Sequence, residues 1–145
     1  MKNLEKDIQR ASTANEEELE PLVHHSSLRV IARLIYNKNL TEDLALILAG
    51  RKNISPDILE ALSINARWKN SYKIKLALCK NPKTPQRLSL ALIKSLKIFD
   101  LADMTKNKVI PINLRMRIEA DISERTPAIP LGIKITLAKR ASSSV

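Results

Sequence analysis

The side chains able to do chemistry are few in this chain, and their spacing weighs each one. His24 and His25 are its only histidines. Adjacent helical positions point about 100° apart, so the pair cannot grip one metal ion through the i, i+4 face that zinc sites use. No carboxylate–cysteine set accompanies them, and a structural or surface role is favoured. Cys79, the one cysteine, stands among Leu76, Ala77 and Leu78. It reads as a small buried hydrophobe, with a thiol activated by Lys80 as the weaker alternative. A single cysteine also excludes an internal disulfide and a thiolate metal cluster. Neither a metal nor another cofactor is expected.

Charge is the stronger signal. The net charge is +10, unevenly placed: residues 1–25 carry three basic and six acidic side chains, and residues 26–145 carry 22 and nine. Between Arg51 and Lys97 eleven basic residues face only Asp57 and Glu60. Such a surplus attracts polyanions or acidic partners at long range. Glu16, Glu17, Glu18 and Glu20 follow Asn15, as carboxylates at a helix start do; a mask over the basic middle is the sharper reading of the same run.

The elements that must position these charges are helical. Two glycines (Gly50 and Gly132) in 145 residues leave little material for hairpin turns or phosphate loops. KNPKTP (80–85) reads as a stop and a restart: Lys80 in a last turn, Asn81 as terminator, Pro82 as breaker, Thr84 as N-cap and Pro85 at N1. KNISPD (52–57), KNLTED (38–43) and KNKVIP (106–111) repeat the phrase, with Asn53, Asn39 and Asn107 as terminators, and ERTPAIP (124–130) is a degenerate fifth boundary. Pro56, Pro85 and Pro111 lie 29 and 26 residues apart, and Lys52, Lys80 and Lys106 lie 28 and 26 apart. Two short helices with their connections fill that length, and periods of this size mark helical repeats. Alternate boundaries would then share an edge. Lys52, Lys80 and Lys106 fall on one, with Lys83 and Lys108 beside them; Arg67, Lys69, Lys38 and Lys97 fall on the other.

Helices are expected near 2–12, 15–24, 27–37, 41–51, 55–65, 70–80, 84–97, 98–105, 111–123 and 128–141. The chain reads as one domain, with an acidic helical cap at 1–25, repeats over 26–141 and a frayed tail at 142–145. INLRMRIEADI (112–122), YKIKLAL (72–78) and LGIKITL (131–137) alternate apolar and polar residues with the period of a strand. Helix is preferred because Leu114, Ile118 and Ile122 also share a helical stripe; the alternative is an α+β domain with a C-terminal hairpin. The charged N-terminus shows no secretory signal and no apolar run reaches membrane length, so a cytoplasmic protein without a membrane partner is expected.

LALCKNPKTPQRLSLAL (76–92) resembles the leucine-rich repeat variant and HEAT-like α-solenoid repeats of bacteria. Their A-x-N-P-x-T-P-x-x-x-L-x-x-L phrase falls on Ala77, Asn81, Pro82, Thr84, Pro85, Leu88 or Leu90, and Leu92. The likeness is close over 74–96 and loose over 28–122. It implies an all-α, right-handed stack of antiparallel helix pairs. The iron–sulfur cluster of some leucine-rich repeat variant proteins does not carry over, because Cys79 stands alone.

The expected function is a non-catalytic binding module for a protein partner, an acidic one, with Lys52, Lys80, Lys83, Lys106, Lys108, Arg67 and Lys69 as candidate contacts. The alternative is phosphate tracking along duplex nucleic acid by the same lysines. With four aromatics there are few stacking platforms for single strands. Some HEAT-like solenoids are DNA-base glycosylases; the short chain and the lack of an aromatic pocket with a catalytic carboxylate place that reading third. Exposed end helices leave room for pairing with a second copy.

Overall fold

The computed structural model describes residues 2–125. Those residues form nine α-helices and one 3₁₀ turn and, among the described residues, no strand. In order they are α1 (Lys2–Thr13), α2 (Glu16–Leu22), α3 (Leu28–Leu34), α4 (Glu42–Ala49), α5 (Pro56–Ile64), α6 (Tyr72–Lys80), α7 (Gln86–Leu92), the 3₁₀ turn (Ile93–Ser95), α8 (Ile98–Met104) and α9 (Ile112–Arg125). The helix expected over 128–141, the possible strand at 131–137, the boundary near Thr126 and the tail lie outside the described residues.

Helices α2 to α8 have seven to nine residues each, too few to persist alone in water, so their caps and packing must hold them. Asn15 and Glu18 close a reciprocal capping box at α2, and Arg10 pairs with Glu18 at 3.3 Å. The acidic run is thus helix-start chemistry, anchored by buried Leu19 and Leu22. Thr41, Ser55 and Ser71 accept amide hydrogen bonds at the starts of α4, α5 and α6, with Pro56 in the first turn of α5.

KNPKTP departs from its expected mechanics at two letters, Thr84 and Pro85. Thr84 is no N-cap: its hydroxyl donates backward to the Leu78 carbonyl at 2.6 Å, and Pro85 holds the cap position of α7. A buried hydroxyl satisfies its own donor by closing the preceding helix. The expected helix over 84–97 also breaks into α7 and the 3₁₀ turn.

Two clusters make the core. One runs from Ile8 to Leu78, the other from Cys79 to Ile118, and Leu92 packs against both. Their junction explains the period of two in YKIKLAL. Ile74 and Leu78 face the first cluster while Tyr72 and Leu76 face the second, so α6 is apolar on two sides. In α9 the cause differs: Leu114 and Ile118 are buried, whereas Ile112 and Met116 are exposed. Both segments are helical, and the α+β alternative does not hold for 72–78 or 112–122.

Candidate functional site: a lysine-rimmed groove

Each connection between helices leaves carbonyls without intrahelical partners. Here asparagine and arginine side chains meet them across 23 to 32 residues of chain. Asn37 Nδ2 donates to the Ala11 and Ala14 carbonyls at 2.8 and 3.0 Å, while its Oδ1 accepts the Asn39 amide at 2.7 Å. Asn81 repeats the arrangement, donating to Ala49 and Arg51 at 2.8 and 2.9 Å and accepting from Lys83 at 2.9 Å. Asn65 and Asn107 make the same inward turn, accepting from the Arg67 and Val109 amides. Asn37, not Asn39, is therefore the counterpart of Asn81; Asn39 only adds a bond to Ala14.

Arginines extend the pattern. Arg51 reaches the Val23 carbonyl at 2.7 Å, Arg67 the Asn37 and Leu40 carbonyls, and Arg125 the Ile93 and Leu96 carbonyls. Their partners lie 27 to 32 residues away. Two sets of connections result: 11–14 with 35–40 and 65–67, and 23 with 49–51 and 81–83.

Beside the second set, residues from three helix ends and connections line one groove of about 610 Å³: Gly50, Arg51 and Lys52; Ala77, Lys80, Asn81, Pro82 and Lys83; and, after α8, Asn107 and Val109. Lys52, Lys80 and Lys83 are exposed, and among the described residues no carboxylate pairs with them. Arg51 is partly withdrawn; its Nε and Nη1 cap Asn53 and Val23, and burial lowers its pKa. The floor is apolar, with Ala77, Pro82 and Val109 beside Gly50, and Val109 is 61% exposed.

The expected site residues therefore divide. Lys52, Lys80 and Lys83 come together. Lys106 and Lys108 are exposed beside Asn107 but do not line the groove. Arg67 commits its guanidinium to two carbonyls and lies 4.4 Å over the Trp68 ring; Lys69 stands exposed two residues on. Lys97 covers the Tyr72 ring at 5.2 Å. Sequence reading missed Gly50, Arg51 and Val109, and only the recurrence of Asn two residues before Val109, as before Lys83, hinted at the last.

A second basic hollow, of about 350 Å³ between Arg87, Leu90, Ala91, Lys94 and Arg117, is partly neutralised. Arg87 pairs with Glu60, and Arg117 with Asp121 at 3.7 Å.

The other chemical candidates have structural partners. His25 Nδ1 accepts the Ser27 amide at 2.9 Å, which leaves Nε2–H to donate to Asp7 at 2.9 Å in the neutral ring. The ring thereby ties α1 to the start of α3. His24 is exposed. Cys79 is buried, and that burial pushes its thiol up to about 12, so almost no thiolate exists at neutral pH. The Tyr72 hydroxyl bonds Asp100 and accepts the Lys97 amide at 2.8 Å; burial, then Asp100, raises its pKa. Among the described residues there is no cluster of three or more metal-ligating side chains, and no helix is long and apolar enough to cross a membrane.

Neither a family model, nor a curated protein, nor a solved structure matches the chain.

Proposed function

We propose that this chain is a short right-handed α-solenoid of antiparallel helix pairs acting as a non-catalytic module that binds an acidic protein segment. The repeat reading is supported by the carbonyl-capping bonds, which recur over 23 to 32 residues of chain. The binding reading is carried by one observation: unpaired Lys52, Lys80 and Lys83 line one groove with residues from three alternate helix junctions.

A protein segment is favoured over duplex nucleic acid because the lysines surround an apolar floor. Phosphates gain nothing from Ala77, Pro82 and Val109, whereas a polypeptide can use both parts. Titrating poly-glutamate and random-sequence duplex DNA against the full chain, at about 50 and about 200 mM salt, separates the readings. The expected result is tighter binding of poly-glutamate, weakened by Lys52→Gln/Lys80→Gln/Lys83→Gln. Duplex binding with a steep salt dependence, and none of poly-glutamate, would select the nucleic-acid reading instead.

A further inference from the structure

Gly50 ends α4 with φ −93° and ψ 0°, a conformation open to any residue. Glycine is therefore not required there by the backbone. A Cβ added at this position would meet only the Leu46 and Ile47 carbonyls, at 3.6 and 3.8 Å, which is ordinary contact. What the missing side chain provides is space in the groove it lines. Val109, which lines the same groove, stays exposed although its amide is fixed to Asn107 Oδ1 at 3.0 Å. A large apolar side chain held on a fixed turn, lining one groove with a glycine and three lysines, is an arrangement that charge binding alone does not need.

We propose that the groove takes an extended acidic peptide segment bearing one apolar anchor, the anchor lying between Gly50, Ala77, Pro82 and Val109 and its flanking carboxylates meeting Lys52, Lys80 and Lys83. The inference rests on the acidic-partner reading and adds its specificity: the lysines select the charge, and the floor selects the sequence. Apolar anchors in desolvated pockets supply much of the affinity of such interfaces, while rim charges chiefly steer the encounter. The volume lies within the range of pre-formed ligand clefts.

The test uses fluorescein-labelled Asp-Glu-Asp-Leu-Asp-Glu-Asp and the same peptide with Ser for Leu, titrated by anisotropy against the full chain. The leucine peptide should bind about tenfold more tightly, the share expected from burying most of one leucine side chain. Gly50→Leu should fill the floor and bring the leucine peptide to the level of the serine peptide, whose own affinity stays unchanged. Val109→Ser should erode the same preference and serves if Gly50→Leu does not fold. Equal affinities of the two peptides for the wild-type chain would overturn the anchor while leaving acidic binding intact. A preference that survives both substitutions would place the anchor elsewhere and overturn it too. If neither peptide binds, the acidic-partner reading fails together with the inference.

Discussion

The connections at 35–40 and 65–69 and those at 50–53, 80–83 and 107–109 both put cations at helix ends, but they use them differently. On the first set Arg67 turns its guanidinium inward, onto the Asn37 and Leu40 carbonyls, and lies over Trp68. On the second set the capping is done by the neutral Asn81 and, farther back, by Arg51, which leaves Lys52, Lys80 and Lys83 facing solvent around a groove. Planar, multiply donating side chains suit backbone carbonyls; lysine, a hydrated point charge on a flexible stem, suits an exposed rim. Charge counted along the sequence treats both sets alike. Geometry separates a cation that holds the fold from one free to meet a partner.

The sharpest way to break this comparison is Asn81→Ala. It strips a buried and a part-buried carbonyl of their donor and the Lys83 amide of its acceptor, and should cost about 3 kcal/mol in urea unfolding. A loss below about 1 kcal/mol would mean that the asparagine ladder is incidental. Next comes the pair Arg67→Ala and Lys80→Ala. The first should cost about 2 kcal/mol through two charge-assisted bonds, the second no more than about 0.5 kcal/mol as an exposed site. Equal costs would erase the distinction between a cation that caps carbonyls and one that stands at the groove. Thr84→Val should cost about 1 kcal/mol through the lost bond to Leu78. Recovery of that loss by Thr84→Asp, which accepts at an N-cap but when ionised has no proton to donate to Leu78, would restore the N-cap reading.

The effect smallest near neutral pH concerns Cys79, where the two core clusters meet. Its thiol has a folded pKa of about 12 against an ordinary 9.0. Between those values the unfolded chain loses the proton and the folded chain keeps it. This contribution to stability is therefore full below about pH 9 and is lost as pH rises toward about 12. Cys79→Ala should flatten that alkaline decline relative to wild type, as followed by the urea midpoint at each pH. An unchanged slope would show that the thiol is not held neutral by the fold.

Much of the helix pattern was legible because it is written in local chemistry. Thr41 and Ser55 cap as their spacing implies, and Pro56 opens α5. The misread letters depend on neighbours outside the phrase, Ala11 and Ala14 for Asn37 and Leu78 for Thr84. Asn39 and Asn37 look equivalent until Ala11 and Ala14 are placed beside them; only then does the buried Asn37 emerge as the terminator. Thr84 resembles any hydroxyl before a proline, yet donates backward. The alternation in INLRMRIEADI could not tell a strand from a helix carrying exposed Ile112 and Met116, because exposure is not written in residue type. Of the candidate site, the lysines were visible as a period, but the groove was not. It needs Gly50 and Val109, 59 residues apart in the chain, to face one space.

The central claim is that position, and not net charge, makes Lys52, Lys80 and Lys83 a binding rim. Two triple variants of equal charge change test it: Lys52→Gln/Lys80→Gln/Lys83→Gln at the groove, and Lys38→Gln/Lys69→Gln/Lys97→Gln on the opposite connections. Each is titrated with the labelled acidic leucine peptide at about 50 mM salt, where rim charges act most strongly. The account predicts that the groove variant loses affinity about tenfold or more while the other changes less than about twofold. Equal losses would show that the peptide reads only the overall charge of +10 and would contradict it.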